Sequence, residues 1–320
     1  MEEKRIHKTS VGGQALIEGV MMQGPRGIAT AVRKTDGDIV VKHHEFSHIR
    51  DKHKFFGLPI IRGMVNFVES MILGYKMLMY SAEASGMEEL EDVEMNKFEK
   101  WLTDKLGDKF MNIIMGIATV LGFALAFVIF FYLPVLALNS ACSNALTPWQ
   151  GTIEGVMKIL IFVIYIAIVS QMKDIKRTFM YHGAEHKSIA CYEAGKELTV
   201  DNVRNCCRFH PRCGTSFIFV MLIFSIIFST ILSKIFPAIA QIRVLWMFLK
   251  LAFIPLIMGV GYEFIKYAGR HDNLLVKILS APGLWMQRLT TKEPSDDIIE
   301  VGIESLKAVI TENPEDDEIK

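Results

Sequence analysis

His182 and His186 stand four residues apart with Glu185 between them, in the run Tyr181-His182-Gly183-Ala184-Glu185-His186-Lys187. On a helix, positions i and i+4 share a face, so two imidazoles at this spacing can hold one metal ion. In the order His-x-x-Glu-His, the glutamate can take the proton of an activated water without binding the metal itself. His182 and His186 are therefore candidate ligands and Glu185 a candidate general base. Downstream, Cys206-Cys207-Arg208-Phe209-His210-Pro211-Arg212-Cys213 sets Cys207, His210 and Cys213 at spacings typical of zinc sites. Four of the five cysteines and three of the nine histidines fall between Lys173 and Thr215. Glu263 and His271, at the end of a later apolar segment and just beyond it, are further candidate ligands.

The elements that must position these residues are mostly apolar helices. About half of the 320 residues are hydrophobic, the formal net charge is zero and the mean hydropathy is positive. This excludes a disordered chain and argues against a purely soluble one. No excess of basic charge points to nucleic acid. Four spans are predicted, over residues 113–138, 156–171, 216–233 and 244–262, the first having no charge over more than the ~20 residues a crossing needs. Lys250, inside the last, is expected to snorkel. Of the 35 Lys and Arg residues, only Lys158, Lys234, Arg243 and Lys250 lie in or beside the two outer loops. The positive-inside rule then makes both termini and the loop 173–215 cytoplasmic, where thiols stay reduced or bind metal. Met1 to Ser10 carries no apolar stretch, so no cleavable signal peptide is expected.

The chain divides into a cytoplasmic N-terminal segment (1–54), amphipathic helices (55–110), a four-span domain (111–262) and a cytoplasmic C-terminal part (263–320). In the first, Gly27–Lys34 and Ile39–Phe46 read as a hairpin around Thr35-Asp36-Gly37-Asp38. Gly12 and Gly13 read as turns at strand ends, because no Gly-Lys-Ser/Thr follows them and no strand precedes the first glycine. His43, His44, His48 and His53 read as a solvated basic face. Arg62, Asn66, Glu69 and Lys76 line one face of a helix over 55–84, expected at the membrane interface rather than packed among spans with its charges paired inward. Gly86–Lys109 reads as a surface helix. Ser295 reads as an N-cap for a helix that buries Ile298, Ile299, Ile303, Leu306 and Ile310, and Asn313 onward as a mobile acidic tail.

The helix of the second span is expected to run on through Met180 to Ala194 and end at Gly195. On a straight helix His182 would lie roughly 15 Å below the membrane, whereas Cys213 immediately precedes the third span. Either the helix breaks before Gly183, or the third helix protrudes, or there are two separate sites.

Four stretches together resemble the bacterial DUF1385 family over nearly the whole chain. They are Gly12 to Met22, Tyr181 to Lys187, His210 to Phe217, and Tyr267-Ala268-Gly269-Arg270-His271. The resemblance implies a metal-dependent enzyme of the bacterial inner membrane, with a metal site at His182, Glu185 and His186. The expectation is a zinc hydrolase in which His182 and His186 bind zinc, Glu185 is the base, and a third ligand comes from Cys213, His210, Glu263 or His271. The rival expectation is an adaptor in a membrane complex. In that case the metal or cysteine cluster only staples the loop, and Arg62, Glu69 and Lys76 meet a partner helix or a second copy.

Overall fold

The structure, a computed structural model, describes residues 8–47, 49, 54–86, 109–134, 136, 150–271 and 273–318. Four strands are followed by ten helices: β1 (Gly12–Leu16), β2 (Gly19–Gly24), β3 (Gly27–Arg33), β4 (Ile39–His44), α1 (Ile61–Ser85), α2 (Lys109–Phe127), α3 (Gln150–Val169), α4 (Lys173–Glu193), α5 (Val200–Arg204), α6 (Gly214–Ile235), α7 (Pro237–Gln241), α8 (Arg243–Arg270), α9 (Leu274–Thr290) and α10 (Asp296–Val309). Contacts divide the chain into two units. One comprises Met1–Glu88, Val163–Ser225 and Ala252–Lys320; the other comprises Glu89–Phe162 and Ile226–Leu251.

The first unit is built on an antiparallel sheet in the order β1-β2-β3-β4. The expected hairpin is its β3–β4 half, with Gly37 at φ 96° in the turn. Gly12 and Gly13, read from sequence as turns at strand ends, stand at the start of β1. Side chains alternate across a strand, and here both faces are covered. Val20, Met22, Ala29 and Ala31 pack with Tyr181 and Ala184 of α4 and with Ile298, Val301, Leu306 and Val309 of α10. Leu16, Met21 and Ile28 pack on the other side with Leu73 and Met77 of α1. Each large apolar side chain so buried contributes roughly 1.5–3 kcal/mol.

The helix breaks over Ser170 to Met172, where Met172 is extended at ψ 137°. α4 is therefore a new helix rather than a continuation of the second span, and it ends before Gly195 at φ 65°. Its neighbours lie close on several sides. A Cβ on Gly302 of α10 would meet Ser188 Oγ at 3.0 Å, and one on Gly183 would stand 2.1 Å from the Lys292 carbonyl. No side chain fits at position 183.

Among the described residues three helices are long and apolar enough to cross a membrane: Thr152–Val169, Gly214–Ile235 and Val244–Arg270. The first of the four expected spans corresponds to a shorter apolar helix, Gly116–Tyr132, whose last turn is a π turn over Val128–Tyr132. Within the second unit, Lys250 does not snorkel; it donates to Glu154, as does Trp246 Nε1 at 3.3 Å, and all three are buried.

The first three residues of the polar stripe of α1 turn inward, while Lys76 stays exposed. Arg62 forms a two-pronged pair with Glu263, and Asn66 donates to Tyr262 Oη at 2.7 Å. The acidic tail is tied down. Ser10 N–H donates to the Asp317 carbonyl at 2.5 Å, Thr9 bridges Glu318, and Asp317 is buried. Ser295 stands at the N-cap of α10 without a side-chain capping bond. The expected helix over Gly86–Lys109 and the lone Cys142 lie outside the described residues, as do His48 and His53.

Candidate metal centre

α4 presents His182 and His186 one turn apart, their ring centroids separated by 4.4 Å. His182 Nδ1 lies 2.9 Å from the Thr290 carbonyl oxygen and His186 Nδ1 lies 2.6 Å from that of Arg208. A carbonyl oxygen only accepts, so both Nδ1 atoms carry the proton and donate it. In the neutral rings both Nε2 atoms then keep their lone pairs, the tautomer that metal-binding histidines use. His182 Nε2 faces Cys213 Sγ at 3.2 Å. One donor atom each from His182, His186 and Cys213 lie within 4.8 Å of one another.

Glu185 sits beside them, 5 % exposed, with Oε2 lacking any partner. The Gly13 backbone N–H faces its carboxylate and favours the charged form. That contact needs glycine, because a Cβ at 13 would stand 3.0 Å from Glu185 Cδ and 2.6 Å from the Met21 carbonyl. Burial pushes the Glu185 carboxyl above its ordinary value, against the charges of His182 and His186. Burial acts to lower His182, but the Cys213 thiolate and Glu185 outweigh it and lift His182 to about 9. For Cys213, burial acts upward, and the two histidines overcome it to bring the thiol well below its usual range. Without a metal, His182 and Cys213 thus form an imidazolium–thiolate pair; a soft divalent cation that displaced the His182 Nε2 proton would meet two nitrogen lone pairs and a thiolate.

A second layer fixes the loop that delivers Cys213. Gln287 of α9 accepts from His210 N at 2.8 Å, and its Nε2 donates to the His210 carbonyl at 2.7 Å and to Ser216 Oγ at 3.2 Å. Fully buried Glu193 accepts from Arg212 and from Thr9 N at 3.0 Å, with His210 Nε2 at 3.6 Å. Burial would raise Glu193, yet His210 and Arg212 bring it down to about 2. Burial also drives His210 down to about 4, against the pull of Glu193.

The structure thus gathers His182, His186 and Cys213 with Glu185 alongside. His210 is adjacent, its ring centroid 5.7 Å from that of His186, but it is engaged by Glu193 and Arg212. Cys207 accepts from Phe209 N, Glu263 is held by Arg62, and exposed His271 stacks on Tyr267 at 4.1 Å. The three lie outside the gathered group. None of Cys191, Cys206, Cys207 and Cys213 forms a disulfide. Sequence reasoning missed Gly13, Glu193, Gln287 and the two carbonyls. Only the paired glycines and a glutamate seven residues after His186 gave any signal.

The model for "Protein of unknown function (DUF1385)" matches residues 58–312. The chain belongs to the DUF1385 family. A curated relative, "Uncharacterized protein YqhQ" of Bacillus subtilis (strain 168), is 36% identical over 308 residues, covering 93% of this chain and 92% of the relative. No solved structure matches. The DUF1385 match takes in all three gathered donors, Glu185 and both histidine-bound carbonyls, and leaves Gly13 outside it.

Proposed function

We propose that this chain is a four-span protein of the bacterial inner membrane, with both termini cytoplasmic, acting as a zinc-dependent hydrolase. The scarcity of Lys and Arg around the two outer loops supports the orientation. One observation carries the chemistry: both Nδ1 protons are spent on carbonyls, so the two Nε2 atoms and the Cys213 sulfur converge beside Glu185, whose buried Oε2 has no hydrogen-bond partner.

The residues fit the ion. Three N/S donors with a carboxylate nearby form a set that suits zinc and leaves a fourth position open. His182, His186 and Cys213 would hold it. When bound, zinc supplies a Lewis acid that polarises a carbonyl or phosphoryl oxygen and acidifies water. Glu185 takes the proton of the attacking water at Oε2 and returns it to the leaving group, a task for which burial suits its carboxyl by raising it toward neutrality. The carbonyls of Thr290 and Arg208 lock ring orientation, and the Gly13 N–H faces the carboxylate.

The burial of the site favours a second reading. If Glu185 fills the fourth position, the shell is closed, the metal is a staple, and the chain is an adaptor. Glu185→Gln separates the two. For a hydrolase, the purified variant keeps about one zinc per chain while function in cells drops ~10²–10⁴-fold, the loss of a general base. For a staple, the zinc itself is lost. A wild-type protein without stoichiometric transition metal sinks both readings, and a Glu185→Gln variant that keeps zinc and full function sinks the hydrolase.

A further inference from the structure

Beside the metal centre, the start of α6, the end of α8 and the inner side of α9 enclose a cavity of about 490 Å³. Its walls are of two kinds. Val220, Ile265, Val276 and Leu284 supply apolar surface, and Lys8, Arg212 and Lys277 supply positive charge. Among the described residues no aspartate or glutamate lines it. Glu193, behind the wall, offsets Arg212, and the exposed Lys277 leaves the lining net positive.

The place of the cavity narrows what it takes. α6 begins and α8 ends there, and both are helices long and apolar enough to cross a membrane. The outer face of α9 continues that apolar surface. Leu274, Leu275, Ile278 and Trp285 are exposed on it, and the Arg288 guanidinium lies 6.0 Å from the Trp285 ring. Exposed leucines with an Arg–Trp pair on an amphipathic helix are the composition of an element lying in a membrane interface. A soluble anion would use the lysines and leave the apolar wall idle. A neutral lipid would do the reverse.

We infer that this cavity binds the anionic headgroup of a membrane lipid, whose acyl chains run along α6 and α8. The cavity also meets the metal centre through shared parts. Arg212 lines it and contacts His210 Nε2 at 3.3 Å, and Ser216 lines it and accepts from Gln287. Under the hydrolytic reading above, on which this step rests, the substrate is an anionic lipid presented from the bilayer surface. The binding itself stands without that reading.

Gly269 offers a clean way to plug the cavity. It lines the wall, and a Cβ there would meet only Arg212 Cδ, at an ordinary 3.8 Å. The full chain in neutral detergent is titrated with dioleoyl phosphatidylglycerol, dioleoyl phosphatidylcholine or inorganic phosphate, and bound lipid is counted by native mass spectrometry. The expected result is about one phosphatidylglycerol per chain, held roughly tenfold tighter than phosphatidylcholine and not displaced by millimolar phosphate. Gly269→Leu fills the space and Lys277→Glu reverses an exposed charge. Each should weaken phosphatidylglycerol by roughly tenfold or more while zinc content stays at the parent value. Equal retention of the two lipids, displacement by inorganic phosphate, or wild-type binding by both variants would overturn the assignment. Because no turnover is read, a protein that binds phosphatidylglycerol and hydrolyses nothing keeps this inference and sinks only the enzymatic one.

Discussion

Two buried polar clusters of this chain are built in opposite senses. Around His182, His186, Glu185 and Cys213, hydrogen-bond donors are turned outward onto carbonyls and acceptors are turned inward to a shared point. Around Glu154, one carboxylate takes Lys250 Nζ and Trp246 Nε1. Lys250 Nζ also stands 5.2 Å from the Trp246 ring, and Lys158 Nζ lies 5.1 Å from the Phe131 ring. The groups of the first cluster include no lysine or arginine, and those of the second include Lys250 and Lys158. Burial is common to both, so burial alone says nothing about function. What separates a site from a clamp is whether lone pairs are left over after every proton has been assigned.

Breaking the clamp should have the largest effect. Glu154→Ala strands Lys250 and Lys158 in apolar surroundings and should cost roughly 3–5 kcal/mol in thermal or denaturant unfolding of the detergent-solubilised chain. Zinc per folded chain should not change. Replacing both partners, Glu154→Met with Lys250→Met, should recover most of the loss. A single variant as stable as the parent would mean that the two clusters do not differ in the way described.

Acid should act on the metal-centre side. Burial holds His210 neutral down to about 4, against 6.5 unfolded. Between those values the unfolded chain binds the extra proton, so stability falls as pH drops from 6.5 to 4. The loss from this group is roughly 3 kcal/mol. Glu193, at about 2 against 4.5, adds a further loss as pH falls through that lower window. Unfolding of the chelated protein across pH 7 to 4 measures the first component, which His210→Asn should flatten. A flat wild-type profile would remove the buried Glu193–His210–Arg212 layer from the account.

The smallest of the three effects is metal removal. With free zinc ~100-fold above its Kd, chelation should cost about 2.7 kcal/mol. The corresponding fall in Tm should vanish in His186→Ala and persist in the Glu154→Met, Lys250→Met pair. A shift that survives His186→Ala would place the ion elsewhere.

What could be read from the sequence was local. His182, Glu185 and His186 share one helix, so their spacing alone placed them together. The hairpin of β3 and β4 was legible from its turn. β1 and β2 were not, because β2 is buried on both faces and shows no apolar–polar alternation. Cys213 could be named but not chosen over Cys207 or His271, since the choice depends on a loop pinned by Gln287 from 77 residues away. Glu263 and Arg62 were both noticed, one as a ligand and the other as part of a stripe. Their pairing across 201 residues carries no periodic signal. The carbonyls of Thr290 and Arg208 are backbone atoms, and nothing in a residue's type announces what its backbone will accept.

The Thr290 carbonyl that orients His182 lies 108 residues further along the chain. During synthesis at ~5–20 residues per second, that separation is some 5–20 seconds. Once Cys213 has been added, 31 residues into this interval, the nascent chain holds both histidines, Glu185 and Cys213 while α6 and α8 are still being made. A ribosome halted short of Thr290 leaves a product with every donor atom and no fixed tautomer at His182. The centre is therefore finished late, after the long apolar helices, and a C-terminal truncation that spares all the donors still removes the site.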